Sequence, residues 1–468
     1  MSRICNEKPE ITIPDIRDAE VSAMTQAMYS RSNTRIKVRL NELDVDGEEK
    51  AKQALSSYYL GYGHASINDC GFTTIYIEGV SNIVAKAIED TQLFNGQESS
   101  TRYLDYSKQS IIDPYNKAES REIIEGWLQL YLKFQPMVVE GLMIRYPQGE
   151  GEDTGTYERA IKARSFDIMR GFLPSGVTTQ LSWTTSLRHA RDRIRFLKYH
   201  PCEEVREVIK AIHSALLEKY PNSFKAADID VDVESEEYKF YSFWQNHYID
   251  YSHDTIKEML AEDNIRCLVV GDDYSDPNAV KMIAERPAEC RHIPTMYDDI
   301  ATFKFLTYID FGSYRDIQRH RRGWCPIPLV KDYGFGIHEW YINEVEECLS
   351  EDDYLVFRHE MGSLMDDIIA LEYNSGFSFD RFKHQYLYPM GVNIVTEFSY
   401  NFSQCIYVSE LRSQPTVHET LRPIAQYIGR AVNRHFGYET ICRINTEPSA
   451  FNIARGKQTI FKDGKEIE

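Results

Sequence analysis

Residues 303–324 read FKFLTYIDFGSYRDIQRHRRGW. The opening nine residues alternate aromatic and β-branched types with polar ones and predict a strand, and GSYRDIQRHR (312–321) predicts a helix. The same order occurs much earlier in the chain. FTTIYIEGV (72–80) predicts a strand and SNIVAKAIEDTQ (81–92) a helix. A histidine stands ahead of each pair, His64 and His292. His64 to Asp90 spans 90 − 64 = 26 positions and His292 to Arg319 spans 319 − 292 = 27. A long-period repeat of this kind decides the architecture before any single motif does.

Further landmarks keep the order. LPSGV (173–177) is echoed by YPMGV (388–392), and His200 in HPCEEVREVIKAI by His418 in HETLRPIAQYI. After His200, the residues Val205, Val208, Ile209, Ile212, Leu216 and Leu217 form an apolar stripe at helical spacing. Leu421, Ile424, Ala425, Ile428 and Val432 do the same after His418. Both stripes are core faces. The expectation is an α/β (α+β) chain built twice, each copy a mixed sheet with long helices: copy one over 1–224 and copy two over 285–468. Residues 225–284 form an acidic linker or insert, whose run DIDVDVESEE (228–237) is read as a solvated linker or an exposed strand.

Composition bounds the function. A chain of 468 residues exceeds one ordinary core, which stops growing at roughly 250–300 residues. The formal net charge of −19 excludes a protein that coats a nucleic-acid backbone, while leaving room for a local cationic pocket. Nine cysteines are scattered with no CxxC pair, so neither a metal site nor a disulfide framework is indicated, and reduced thiols fit. The N-terminal MSRICNEKPEITIPD is polar and no apolar run approaches the ~18 residues of a membrane span, which predicts a cytoplasmic protein without a membrane partner.

Against this acidic background, Arg315, Arg319, His320, Arg321 and Arg322 fall within eight positions. On a continuous helix Arg315, Arg319 and Arg322 share a face, and like charges there repel unless an anion lies opposite. Two partners are open: the chain's own surplus carboxylates, or a phosphate or carbonyl-bearing ligand suited to guanidinium forks. The apolar, turn-rich GWCPIPL that follows favours a pocket wall. In copy one the corresponding place reads EDTQLFNGQESSTRY (89–103), without the arginine cluster. Its second half holds Glu98, Ser99, Ser100, Thr101 and Arg102, a set able to cradle a phosphate or to cap a helix.

Both copies resemble the flavin-dependent thymidylate synthases (ThyX), whose signature is RHRxxSxNxxSxR. The resemblance covers roughly residues 20–224 and 285–440, and the signature is divided. Copy one has Ser100 and Arg102 as its final S-x-R, with Asp90-Thr91-Gln92 where RHR belongs. Copy two has Arg319-His320-Arg321, then Trp324 and Pro326 in the Ser and Asn places. A nucleotide-binding Arg of the family is matched by Arg170, with Gln385 in copy two. The second is matched by Arg412 in SELRSQPTVH, with Lys198 in copy one.

The resemblance implies a site assembled from complementary fragments. Glu98, Ser99, Ser100, Thr101, Arg102, Arg170, Arg319 and Arg412 would bind substrate. Arg319, His320, Arg321, Asn401, His64, Ser66, Glu98, Thr295 and His418 would bind the cofactor, and Arg412 and His320 would be catalytic. It further implies FAD as cofactor, methylenetetrahydrofolate and NADPH as co-substrates, dUMP as substrate, and a homodimer that rebuilds the family's tetramer as a pseudo-tetramer. As lone residues, the two histidines ahead of the strands and Asn401 are equally read as structural. Two alternatives stay open: a flavin and folate enzyme that stops at a hydroxymethyl group on a related pyrimidine, and a catalytically inactive nucleotide-binding homologue.

Overall fold

The computed structural model describes residues 18–30, 36–38, 40–41, 65–100, 109–245, 256–258, 265–271, 276–288, 290, 293–449, 460–462 and 465–467. Strands Phe72–Ser81 (β1), Asn95–Glu98 (β2) and Thr178–Ser186 (β3) form a sheet in the order β1-β3-β2. Strands Ile265–Val270 (β4), Thr302–Asp310 (β5), Gly323–Trp324 (β6) and Asn393–Asn401 (β7) form a second, in the order β4-β5-β7-β6. Its pairs are antiparallel, with Thr302 opposite Asn401 and Asp310 opposite Asn393. The protein is therefore a mixed helix and sheet fold, as the repeat predicts. Among the described residues no helix is long and apolar enough to cross a membrane.

The chain divides into two compact units, which differ from the two sequence copies. The first comprises residues 1–77, 93–97 and 182–246. In it the helix Glu203–Lys219 buries Val205, Ile209, Ile212 and Leu216, the stripe expected from spacing. The acidic run is solvent-exposed over 230–234, as expected of a solvated linker, and departs from that expectation at its first acid and in its last residues. Asp228 lies in the short turn Ala226–Ile229, and Arg191 grips its carboxylate with Nε at 2.9 Å and Nη2 at 2.6 Å. Glu236–Gln245 is a helix. A forked guanidinium turned the first acid inward, which alternation of charge along the chain cannot reveal.

The second unit comprises residues 78–92, 98–181 and 247–468, so it holds parts of both copies. Helices Ala118–Arg145 and Glu351–Tyr373 lie together in it, with the Phe134 and Phe357 rings 5.2 Å apart and Lys133 Nζ 2.6 Å from Glu360 Oε1. The echoed segments LPSGV and YPMGV pair with each other, Pro174 opposite Pro389. Their hydrogen bonds come in equivalent couples. Met390 N donates to the Leu173 carbonyl and Ser175 N to that of Tyr388, both at 2.8 Å. Gly391 N donates to Gly171 O at 2.8 Å and Gly176 N to Tyr386 O at 3.3 Å. Each couple exchanges under one offset, 389 − 174 = 215, which is the pattern of a two-fold contact between like surfaces. The repeat thus survives as a local pseudo-dyad. A side chain at Gly391 would put Cβ 2.7 Å from the Gly171 carbonyl, so that crossing requires glycine.

Helix starts obey a second offset. Ser81 Oγ accepts from Val84 N at 3.2 Å at the start of the helix Asn82–Glu89. Asp310 Oδ2 accepts from Ser313 N at 2.8 Å at the start of Phe311–Gln318. The caps are 310 − 81 = 229 apart, as are Asp90 and Arg319, 319 − 90 = 229. By the same offset Lys86 corresponds to Arg315 and Glu89 to Gln318.

The cationic helix is shorter than GSYRDIQRHR predicts. It ends at Gln318 with Arg319 as its C-cap, so Arg322 does not share a helical face with Arg315. Gly323, at φ 153, pairs with Tyr400 and passes so close to the Ser399 carbonyl that a Cβ would meet it. Capture of the chain by β7 outweighs the helical propensity of the arginines.

Candidate functional site

The site is built around one buried carboxylate. Asn95–Glu98 is a strand, where QESSTR was also readable as a helix cap, and Ser99 N continues the pairing to Gln180 O at 3.0 Å. That extended path carries the Glu98 side chain inward to 1% exposure. Arg315 Nη2 lies 2.6 Å from Oε1 and Lys86 Nζ 2.9 Å from Oε2, with Arg319 Nη2 at 3.9 Å. Burial alone would push the carboxyl pKa up. The charges and hydrogen bonds of Arg315 and Lys86 outweigh it and hold the pKa at about 2. The two cations occupy equivalent positions of the repeat, so Glu98 is shared between copies.

The ion pairs continue in alternation. Lys86 Nζ also lies 2.7 Å from Glu89 Oε2, and Arg321 Nη2 lies 3.7 Å from the same oxygen. Copy one therefore keeps a cation here despite losing RHR. Sequence reading missed Lys86, although a lysine set among Ile83, Val84, Ala85, Ala87 and Ile88 was the available signal: every residue of that helix is buried.

His320 is 7% exposed, and its Nε2 accepts from Arg412 Nε at 3.0 Å. Since a guanidinium only donates, His320 is the neutral tautomer with its proton on Nδ1. Burial first, then the Arg412 charge, brings its pKa down to about 3. Arg412 also reaches the Asp316 carbonyl at 3.4 Å. Arg170 is 2% exposed, with Nη2 3.4 Å from Ser313 Oγ. Burial works against its charge, and Tyr341, Asp167 and Asp310 outweigh burial and raise its pKa. Asp310 Oδ2 accepts from Tyr341 OH at 2.7 Å, and Ser313 Oγ meets Thr420 Oγ1 at 2.7 Å. Asp310 and Ser313 carry no signature and were legible only as strand-end and helix residues, and Tyr341 was not read at all.

Glu98, Ser99, Arg170, Arg319, His320, Arg321 and Arg412 all belong to the second compact unit. The Ser99 carbonyl faces Arg315 Nη2 at 3.4 Å, and Ser100 is half-buried. Asn401 and His418 take local partners: Asn401 Oδ1 caps the helix Phe402–Arg412 by accepting from Gln404 N at 2.9 Å, and His418 Nδ1 meets Thr420 Oγ1 at 2.9 Å. Thr295 is exposed at the start of Thr295–Ile300. Ser66 is exposed in Ala65–Cys70, within the first unit. His64, Thr101, Arg102 and His292 lie outside the described residues.

The opposite set of fragments is committed to structure. Gln385, counterpart of Arg170, donates to Phe382 O at 2.9 Å. In the first unit Lys198, counterpart of Arg412, donates to Asp230 O at 2.6 Å.

Arg319 and Arg322 are 42% and 51% exposed, and each has a carboxylate only at 3.9 Å. Such loosely held guanidiniums fit the phosphates of an anionic cofactor. A cavity of about 130 Å³ beside them, lined in part by Gln318, His320, Arg321 and Trp324, is below the ~300 Å³ of ordinary ligand clefts. The fit to a flavin nucleotide thus rests on the exposed donors, not on that cavity.

Residues 14–222 match the family described as thymidylate synthase complementing protein. Relatives extend further along the chain. A UPF0159 protein of Chlamydia muridarum is 23% identical over 508 aligned residues, covering 92% of this chain and 90% of that one. A UPF0159 protein of Chlamydia pneumoniae is 24% identical, covering 79% and 76%. One of Thermoplasma acidophilum is 22% identical, covering 81% and 85%.

Proposed function

We propose that this chain, whose residues 14–222 match the thymidylate synthase complementing protein family, is an FAD-dependent thymidylate synthase. It converts dUMP to dTMP with methylenetetrahydrofolate as carbon donor and NADPH as reductant. The observation that carries the reading is the ion pair between Glu98 of copy one and Arg315 of copy two at 2.6 Å. It links the strand that leads into Ser100 with the helix that leads into Arg319, and so supports a site composed from both copies. The same reading carries a homodimer whose four copies form a pseudo-tetramer.

Arg319, Arg322 and Arg321 hold the cofactor's phosphates and carbonyls. The chemistry FAD supplies when bound is reduction of the transferred one-carbon unit to methyl. Glu98, Ser99, Ser100, Thr101, Arg102 and Arg170 hold the nucleotide. Arg412 sets its guanidinium against the O2/N3 edge of the uracil and stabilises negative charge that develops there as C5 becomes nucleophilic. Neutral His320, accepting a hydrogen bond from Arg412 Nε at its Nε2, fixes the direction of that guanidinium.

No thiol is needed. Cys325 lines the cavity, but burial pushes its pKa far up, so it carries almost no thiolate at pH 7. Cys325→Ser is expected to change turnover by less than about threefold, under ~0.7 kcal/mol of barrier. Complete loss of turnover with normal flavin content would assign the thiol a chemical role.

The deciding experiment incubates the purified protein with dUMP, methylenetetrahydrofolate and NADPH and weighs the nucleotide product. Mass gain of one methyl group supports the synthase. A 5-hydroxymethyl product replaces it with the sister chemistry, and a protein that neither takes up flavin nor changes dUMP is an inactive homologue.

A further inference from the structure

In copy one Glu89 and Gln92, at the edges of the segment that stands in place of RHR, touch the loop that carries RHR in copy two. Gln92 Nε2 donates to the Gly323 carbonyl at 3.0 Å. Glu89, 2% exposed, holds Oε2 3.7 Å from Arg321 Nη2. Gln318 Nε2 returns the contact to the Lys86 carbonyl at 3.1 Å. The segment Lys86–Gln92 therefore meets copy two at its helix end, at Arg321 and at Gly323, around the small cavity. By the offset of 229, Glu89 corresponds to Gln318 and Gln92 to Arg321, 321 − 92 = 229. Identical copies would bring two arginine-rich segments together across the pseudo-dyad, at a Coulombic cost in a partly buried place. Copy one has Asp90 and Gln92 at the places of Arg319 and Arg321, and Glu89 adds an acid where copy two has Gln318, so the contact is an ion pair and a hydrogen bond.

The opposite side of the loop is held too. Arg322 N donates to Gln404 Oε1 at 3.2 Å, and Gly323 pairs with Tyr400. Between these anchors Arg319 and Arg322 stand exposed. We propose that Glu89 and Gln92 are positioning residues: they clamp the copy-two segment Arg319–Gly323 so that its exposed guanidiniums form a pre-set anion-binding edge for the flavin cofactor. The inference rests on the flavin reading above. On it, copy one's loss of RHR is a division of labour, with one copy supplying the binding groups and the other their support.

The test uses the full-length protein stripped of flavin and titrated with FAD by fluorescence. Gln92→Ala removes a solvent-exposed hydrogen bond and should leave folding intact. It is expected to raise the FAD Kd about three- to tenfold, with the dUMP Kd and the thermal midpoint unchanged. Amide exchange should accelerate over residues 319–325 and nowhere else. Glu89→Gln should raise the FAD Kd at least as much. If it fails to fold, Gln92→Ala decides alone. An FAD Kd and loop exchange equal to the parent's, in a parent that binds FAD, overturn the clamp and leave the flavin reading standing. A parent that takes up no FAD overturns the flavin reading and the inference with it.

Discussion

Glu98→Gln is expected to lower stability at pH 7 by about 3 kcal/mol, the lower end of what breaking a buried ion pair costs. The substitution leaves Arg315, at 5% side-chain exposure, without its carboxylate, while Lys86 keeps Glu89 at 2.7 Å. Retention of that second partner is why the lower end applies. Acid titration checks the cause. The folded carboxyl is held near 2 against an ordinary 4.5, so it is depressed. Its stabilisation is present above about pH 4.5 and is lost as pH falls from there through about 2. Glu98→Gln should remove one proton's worth of slope there, leaving the remaining acid sensitivity to other carboxylates. Urea midpoints at pH 7 and between pH 2 and 5 read both effects. A variant with the parent's midpoint at pH 7 and the parent's slope in acid would mean that Glu98 is not the anion shared by Lys86 and Arg315.

That single carboxylate also marks the limit of what the sequence discloses. The two strand-then-helix pairs were legible because β-branched alternation and helical stripes are local, and both were found where spacing put them. LPSGV and YPMGV were legible as echoes, but their pairing across a pseudo-dyad is a long-range fact. No local preference separates two segments that resemble each other from two that touch. The segment GSYRDIQRHR was read as one helix through Arg321. Its departure at Arg319 is set by Gly323 and by the β7 backbone about 77 positions later (400 − 323 = 77).

The charges followed the same division. The sequence offered two partners for the arginines, protein carboxylates or a ligand, and in the structure they are split between these fates. Arg315 is taken up by Glu98 at 2.6 Å, while Arg319 and Arg322 remain exposed with carboxylates at 3.9 Å. A count of charges along the chain cannot make that separation, because it depends on which arginine lies within the helix and which beyond it. Asn401 and His418 were legible as family matches, and their contacts here are a helix cap and a buried threonine. Lys86 lay in plain view in an apolar helix. Its meaning came only with the offset that sets it opposite Arg315.

Arg412→Ala is expected to reduce dTMP formation about 10²- to 10³-fold, the loss typical of removing one preorganised donor from developing negative charge. Flavin content should stay at the parent's level, because the exposed cofactor-side guanidiniums Arg319 and Arg322 are untouched. The neighbouring histidine makes this prediction specific. His320 has its pKa at about 3 chiefly through burial, with the Arg412 charge second. Removing the guanidinium therefore moves that pKa up while burial continues to oppose protonation, so His320 stays neutral at pH 7. The loss is then one of transition-state stabilisation, without a new ionisation in the neutral range of the pH profile. Arg412→Lys separates charge from geometry. A lysine keeps the positive charge but cannot both fork toward a planar uracil edge and donate to His320 Nε2 as Arg412 does at 3.0 Å. It should recover affinity for dUMP more fully than turnover. Product mass, flavin absorbance and dUMP calorimetry on the two variants read these quantities separately. Parent-like turnover in Arg412→Ala would remove Arg412 from the chemistry. Loss of flavin together with turnover would move Arg412 from the uracil to the cofactor.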